Sequence, residues 1–488
     1  MFEKQNAMLR ATALAAAVFA AGCAVGPDYQ RPASAMDGSF LNVGAARNND
    51  AAPSADIASF WRGFNDAALN ALVERALSAN GDVRIAQARL QEARANQGVA
   101  DAEWLPSIGA QANAGRSVTP RYQAPTLSRS ERTGSAYDAS FVANWELDLF
   151  GRARRGAEAA AAQVSASEAG LYAAHTAVSA EVARNYLELR GLQQRFTVTE
   201  AALENQRSSL QLTEARLDAG RATQLDLERA RTLTENTAAA LPALQAAIDR
   251  TIFRLATLTA QSPRFLREQL GAPAPIPTLP VTDLSTLPVG TPEAWLQRRP
   301  DLVASERQLA AATASIGIAK ADLFPRLSLS GLLGLAAASA GDLGESASRI
   351  YSVGAGMTWT LIDFGRVRGR IAASEARAQQ ALASYEQTVA TALEETEGAL
   401  TQFTRDAQRS ERLANAAHSA DEAARLARLR YETGVTDFLA VLDAEREALS
   451  TRDALVQSQT SNAASLVAVY RALGGGWSVP SAPATASR

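Results

Sequence analysis

The strongest constraint on this chain is that it carries one long segment twice. Trp145-Glu-Leu-Asp-Leu-Phe-Gly-Arg152 returns as Trp359-Thr-Leu-Ile-Asp-Phe-Gly-Arg366, an offset of 214 (359 − 145). The same offset takes Gly220 to Gly434 and Ala230 to Ala444 without a gap. Just upstream, residues 82–106 match 301–325 at an offset of 219 (325 − 106). An internal repeat outranks length as a guide to architecture. The 488 residues are therefore not divided into the roughly three globular domains that length alone suggests.

In each copy a strand-like stretch ends at Phe-Gly-Arg, and residues 152–218 or 366–432 then run without proline to a glycine-containing turn. An unbroken helix of that length would be roughly 100 Å long, where helices of globular domains have about 10–14 residues. Val182, Leu189, Phe196, Leu203, Leu210 and Leu217 recur every seven residues in the first copy. Such a seam predicts lengthwise packing against other helices. The second copy is richer in alanine, with Phe403 and Tyr431 as its large seam members.

The segments before these helices alternate with period two. Ile108, Ala110, Ala112 and Ala114 alternate with Ser107, Gly109, Gln111, Asn113 and Gly115. Tyr137, Ala139, Phe141, Ala143, Trp145, Leu147 and Leu149 alternate with mostly polar residues such as Asp138, Ser140, Asn144, Glu146 and Asp148. In the second copy Leu327, Leu329, Gly331, Leu333 and Leu335 form one row, and Tyr351, Val353, Ala355, Met357, Trp359 and Leu361 form another. Period-two segments of about ten residues with aromatics near their ends resemble membrane β-barrel strands.

Ahead of the first strand, Leu69, Leu72, Val73, Leu77, Ile85 and Leu90 predict one helix from near Asn65 to the proline at 106. Residues 119–135 and 336–349 are expected as hairpin loops. Each copy is then helix, strand, strand, long helix, turn, helix. The resulting division is a signal at 1–22, an extended tether at 23–64, and a first repeat at 65–270 with its hairpin at 106–150. A proline-rich crossing at 271–292 follows, then a second repeat at 293–473 with its hairpin at 326–363, and a tail at 474–488.

Lys4 and Arg10, the apolar stretch 11–21 and Ala20-Ala-Gly-Cys23 predict an export signal, with Met8 as an alternative start. The run ending in the single cysteine resembles a bacterial lipobox, which implies a lipid on Cys23 as the only covalent addition and no other cofactor. Ala24, rather than Asp, resembles lipoproteins sorted to the outer membrane. An ordinary cleaved signal is the alternative.

Net charge is −3, so there is no nucleic-acid footprint. One cysteine and two histidines, His175 and His418, exclude an internal disulfide and argue against a Cys/His metal site. No nucleophile–base pair stands out, and Gly474-Gly-Gly476 lacks the strand and helix of a phosphate loop. No catalytic step is expected.

Four strands cannot close a membrane barrel, whose smallest single-chain form has about eight. An open edge cannot remain in lipid either. The expectation is that further copies of the chain supply the missing strands and that the attached helices enclose a common bore.

Cys23-Ala-Val-Gly-Pro-Asp-Tyr-Gln-Arg-Pro32, Arg299-Pro-Asp-Leu302, Phe324-Pro-Arg-Leu327 and Asp363-Phe-Gly-Arg366 together resemble the outer membrane factor family, with its TolC-like and OprM-like channels and NodT-type efflux lipoproteins. The resemblance spans residues 23–477. It implies an α+β membrane protein: a homotrimer whose twelve-stranded outer-membrane barrel continues into a periplasmic helical barrel. It further implies a periplasmic adaptor and an inner-membrane pump of the resistance-nodulation-division type as partners.

The tips, near 216–227 and 430–441, are the predicted periplasmic ends. Gly220 and Gly434 suit a left-handed helix stop, and Thr223 and Asp437 suit N-caps of the returning helices. Thr223 and Asp226 have capping-box spacing. In the family, tips close through aspartate rings and tyrosine or arginine contacts. The matching positions are Tyr431 and Asp443, while Ala440 and Thr436 depart from the acidic and arginine positions of some relatives. Asp437, Asp226, Glu228, Asp218 and Arg221 are further tip candidates. Packing for Tyr431, capping for Asp437 and pairing with Arg446 for Asp443 are the structural alternatives. Channels for type I protein secretion and a non-channel coiled-coil envelope lipoprotein are the competing functions.

Overall fold

A computed structural model describes residues 24–33, 40–41, 55–281, 295 and 298–477. Cys23, the signal at 1–22, most of 34–54, the stretch 282–294 and the tail beyond 477 lie outside the described residues. Two compact units divide the chain, one drawn from 1–32, 90–167 and 305–385, the other from 33–89, 168–304 and 386–488.

The elements, in order, begin with α1 (Ala67–Ala79), α2 (Gly81–Ala102), β1 (Ser107–Val118) and β2 (Thr133–Leu147). Then come α3 (Arg152–Asp218), α4 (Gln224–Thr259), α5 (Pro263–Leu270) and α6 (Pro300–Ala321). The chain finishes with β3 (Arg326–Ala337), β4 (Arg349–Thr358), α7 (Arg366–Glu432) and α8 (Phe438–Ala472). Both α3 and α7 are unbroken over 67 residues. Asp148 and Asp363 start them: Asp148 accepts from the Arg154 amide at 3.0 Å, and Asp363 accepts from the Val367 amide at 2.6 Å. Fold and length thus follow from proline-free helical sequence between a carboxylate cap and a glycine stop.

In the first unit, the strands form one antiparallel meander in the order β1-β2-β3-β4. β2 of the first copy pairs directly with β3 of the second, for example Asn144 opposite Ser330. Both strand ends are bracketed by tryptophan: Trp145 Nε1 donates to Trp104 O at 2.9 Å, and Trp359 Nε1 to Leu323 O at 3.1 Å. Residues 24–31 dock beside the start of α3. The Val25 amide donates to Phe150 O at 3.1 Å, Tyr29 Oη donates to Glu306 at 2.8 Å, and Arg31 pairs with Glu306 at 3.3 Å.

In the second unit, the core gathers Phe60, Leu69, Val73, Tyr186, Leu187, Ile252, Leu255, Leu466 and Tyr470, all nearly solvent-free. Phe60 stacks on Tyr470 at 5.1 Å. Arg299 is buried among Asp301, Glu395 and the carbonyl oxygens of Ala392 and Ala472. Burial pulls its pKa down, but the two carboxylates outweigh that and raise it. Val182, Leu189 and Leu203 of the heptad seam are buried, and Phe196, Leu210 and Leu217 are half-buried.

Five expectations need correction. The helix predicted from 65 to 106 is two helices, because Asn80 leaves helical geometry (ψ 141°). Its side-chain oxygen caps α2 at the Asp82 amide (2.8 Å) while its amide donates to Leu258 O (2.9 Å). Ile85 consequently falls out of phase and is exposed. The stretch 23–64 is not wholly extended: a helical turn at Ala55–Ala58 and a 3-10 turn at Phe60–Phe64 bury Ile57, Phe60, Trp61 and Phe64. Aromatic side chains supply enough apolar surface to dock even a short segment.

β2 and β4 end at Leu147 and Thr358, so Leu149, Trp359 and Leu361 lie beyond the ladder, where the chain turns to enter the long helices. The hairpin loops shift with the strands, since β2 already begins at Thr133 and β3 runs to Ala337. Finally, 474–477 is packed rather than tail-like, with Trp477 stacked on Tyr172 at 4.5 Å.

Candidate functional site

Two features carry the chemistry: the sheet in one unit and the paired turns in the other. The strand register sorts side chains onto two faces. Ser107, Asn144, Ser330 and Gly354 line up across one face, as do Gln111 with Ser140 and Asn113 with Asp138. Gln111 Nε2 donates to Ser140 Oγ at 3.2 Å, and Asn113 Nδ2 to Asp138 at 3.0 Å. The opposite face carries Ile108, Phe141, Leu333 and Val353, respectively 72%, 62%, 65% and 88% exposed. A contiguous apolar face of this size does not stand in water on an ordinary soluble domain. It suits lipid, while the hydroxyl and amide face suits water. No helix among the described residues is long and apolar enough to cross a membrane.

The turns at the ends of α3 and α7 are built alike. Gly220 (φ 68°) and Gly434 (φ 79°) take the left-handed position that a Cβ disfavours. The Arg221 amide donates to Arg216 O at 2.7 Å and the Gly220 amide to Leu217 O at 2.9 Å. In the second turn the Val435 amide donates to Arg430 O at 2.8 Å and the Gly434 amide to Tyr431 O at 2.9 Å. These paired bonds close the last carbonyls of each long helix. Thr223 and Asp226 form the reciprocal capping box of α4, and Asp437 caps α8 by accepting from the Ala440 amide at 3.3 Å.

Between the turns lies an open cleft of about 630 Å³ whose walls include Arg216, Arg221, Asp226, Tyr431, Thr436 and Asp437. Tyr431 is buried against Ala230, Phe438, Val441 and Leu442. The Arg216 guanidinium lies 4.1 Å over its ring and also donates to Glu432 O at 3.0 Å. Asp218, Arg221 and Asp443 are exposed. The alternative raised for Asp443, a pairing with Arg446, is not formed; among the described residues neither makes an ion pair. Glu228 pairs with Arg231 at 3.1 Å on the surface of α4.

Two tip residues were not singled out from sequence. Arg216 is one; Glu445 is the other. The Glu445 carboxylate is buried, accepts from Ser209 Oγ at 2.9 Å, and meets Arg428 at 2.5 Å. It thereby ties α8 to α3 and α7. Its signal was an acidic residue spaced three from both Leu442 and Ala448 on an apolar stripe.

His175 is half-buried beside Tyr172, and burial lowers its pKa. His418 is exposed. No group of three or more His, Cys, Asp or Glu side chains among the described residues is placed to hold a metal ion.

The profile of a family described as outer membrane efflux protein matches residues 72–261 and 291–475. Outer membrane protein OprJ of Pseudomonas aeruginosa is 34% identical over 473 residues, covering 96% of this chain and 95% of the relative. The toluene efflux pump outer membrane protein TtgI of Pseudomonas putida is 32% identical over 465 residues, covering 94% of this chain and 96% of the relative. Among solved structures, the outer-membrane channel OprN superposes with a TM-score of 0.86 at 40% identity, over 93% of this chain and 100% of that one.

Proposed function

The chain belongs to the outer membrane efflux protein family, and on that premise we propose how it forms a passive exit duct for drugs or other small molecules. Three copies pool their four-stranded sheets into a twelve-stranded barrel in the outer membrane. The long helices continue from the strands into the periplasm and enclose one wet bore. A periplasmic adaptor and an inner-membrane pump of the resistance-nodulation-division type supply the energy and the cargo. The chain itself catalyses nothing, as befits a channel family. A lipid on Cys23 adds a second hold on the membrane.

One observation carries this reading: a sheet with an apolar face, a hydroxyl- and amide-rich face, and two edge strands exposed along their whole length. Unpaired strand edges cannot stay inside hydrocarbon, so only closure with further strands makes the sheet stable there. At the periplasmic end Asp443, Asp218 and Arg221 are the exposed charges we assign to the aperture. Asp226, Asp437 and Tyr431, with the glycines at 220 and 434, set the shape of the turns that carry them. Threefold symmetry would bring like carboxylates together, where they repel and attract cations.

The test is to purify the full chain in detergent and measure its mass and its conductance in a planar bilayer. A trimer with steady ion conductance is expected. Deleting the gene should sensitise the cell to a panel of dyes, detergents and antibiotics. A monomer soluble without detergent and silent in the bilayer would overturn the reading.

A further inference from the structure

The apolar face of the sheet carries a positive charge at one place where it has no partner. The register aligns Ala112, Ala139, Leu335 and Arg349 in one line across the four strands. The next line, toward the helices, is Ala110, Phe141, Leu333 and Tyr351. By alternation these side chains share the face that suits lipid. The long helices follow β2 and β4, so the loops at 119–132 and 338–348 lie at the opposite end of the sheet. Arg349, the first residue of β4, stands at that loop end.

Short side chains make this part of the face hollow. Ala110, Ala112 and Ala139 lie low between Phe141 and Leu333, and leave an open depression of about 580 Å³ with Arg349 on its wall. Gln111 and Ser140 also border it, but alternation turns their side chains to the other face, so they supply backbone floor. The Arg349 guanidinium makes no hydrogen bond or ion pair among the described residues, and Asp342 and Glu345 of the preceding loop leave it free. Arg116, two register lines further out on β1, shares the face and is likewise unpaired. The loop at 119–132 adds Arg121, Arg129 and Arg132 against Glu131 alone. Tyr351, beside Arg349 on the same row, is exposed, as a phenol at a membrane interface is. A charge on a lipid-facing strand is tolerated near the interface and not at the middle of the bilayer, which sets Arg349 at headgroup level.

We propose that this place holds a phosphate-bearing lipid of the leaflet that faces away from the helices. Arg349 donates to the phosphate, and an acyl chain lies over the three alanines in the hollow. Charge complementarity selects the headgroup, because a free guanidinium offers a fork of donors that fits phosphate oxygens two at a time. The order along the strands, charge at the loop end and hollow below it, is that of an amphiphile with its head toward the loops. A free phosphate ion would leave the hollow unfilled, and a lipid without phosphate would leave the guanidinium unpaired. This assignment rests on the proposed barrel, which turns the face to lipid, and adds the chemistry of one bound lipid and its place.

Native mass spectrometry of the full chain in detergent, titrated with lipid, tests this. The probes are lipid A, a phosphorylated glycolipid, the same lipid after its phosphates are removed, and inorganic phosphate. The unaltered channel should retain lipid A and bind the dephosphorylated lipid about tenfold more weakly. Arg349→Gln should weaken lipid A by about tenfold and leave the dephosphorylated lipid unchanged. Ala112→Phe, which fills the hollow, should weaken both lipids. Arg121→Gln, a loop charge outside the strand ladder, should change neither.

Lipid A binding by Arg349→Gln equal to that of the unaltered chain overturns the proposal. An equal loss in Arg121→Gln overturns it too, since the attraction would then belong to the loop as a whole. Displacement of lipid A by inorganic phosphate overturns the lipid as occupant. Arg349→Gln keeps the side chain polar at an exposed strand end, so it decides the matter even if Ala112→Phe fails to assemble. No retained lipid on a trimeric, conducting channel removes the site and leaves the barrel reading in place. A monomer silent in the bilayer removes both.

Discussion

The docked segment 24–31 offers a prediction whose size can be worked from the structure. Arg155, on the first turn of α3, is buried and holds the segment by its backbone. It donates to Val25 O at 3.3 Å, Gly26 O at 3.4 Å and Asp28 Oδ1 at 2.6 Å, with Glu158 at 2.7 Å completing its fork. Asp28 is 86% exposed, so its ion pair adds little. The two carbonyl bonds are long, which puts each at the level of an ordinary net hydrogen bond rather than a charge-assisted one, about 1–1.5 kcal/mol. Arg155→Ala should therefore weaken the attachment of the segment by about 2–3 kcal/mol. That multiplies its detached fraction by about 30- to 150-fold.

Gly26 adds steric precision, since a Cβ there would meet the Gly317 backbone, but the variant leaves that contact available. The remaining ties, through Tyr29 and Arg31 to the buried Glu306, limit the opening to the segment itself. Burial, then the hydrogen bond to Glu306, raises the pKa of Tyr29, so this second tie persists throughout the neutral range. Hydrogen exchange followed by mass spectrometry, on the peptide containing the Val25 amide, measures the effect. Faster exchange there, with α7 unchanged, is expected; Arg155→Lys should fall in between because it loses the fork. Unaltered exchange at Val25 in Arg155→Ala would refute the assigned role of the guanidinium.

Three further predictions concern the second unit. Asp443→Ala should raise single-channel conductance in a planar bilayer, and an unchanged value removes Asp443 from the aperture. Glu445→Ala leaves Arg428 and Ser209 without their acceptor; with Arg428 about a third exposed, the expected loss is about 1–3 kcal/mol, read as a lower thermal midpoint, and no shift would refute the tie. His175 is held below the ordinary histidine pKa by burial, so the unfolded chain takes up the proton first. Stability should fall as pH drops through about 6.5, and the slope should flatten in His175→Gln; parallel pH profiles of the melting temperature would contradict this.

Element type, and the length of the two long helices, were legible in the sequence because they are set locally. Proline-free periodicity between a cap and a glycine marked α3 and α7, and strict alternation marked the strands and their two faces. The turn glycines, Thr223 with Asp226, and Asp437 were legible for the same reason: each acts on backbone within a few residues of itself. Tyr431 was visible as a seam residue, whereas the ring contact with Arg216 was not.

What the tertiary structure alone decided are matters of distant partners. That β2 pairs with β3 joins distant positions, such as Asn144 and Ser330, 186 residues apart (330 − 144), and no local pattern specifies that choice. Asn80 breaks a helix that its neighbours' spacing supports, because Leu258 O, far along the chain, takes its amide. Glu445 is a surface residue by composition and a buried tie by position, since only the approach of α3 and α7 supplies Ser209 and Arg428. Local periodicity fixes what a segment is. Which buried donor meets which acceptor depends on chain segments brought together only by folding, and there the cost of an unpaired polar group makes the selection.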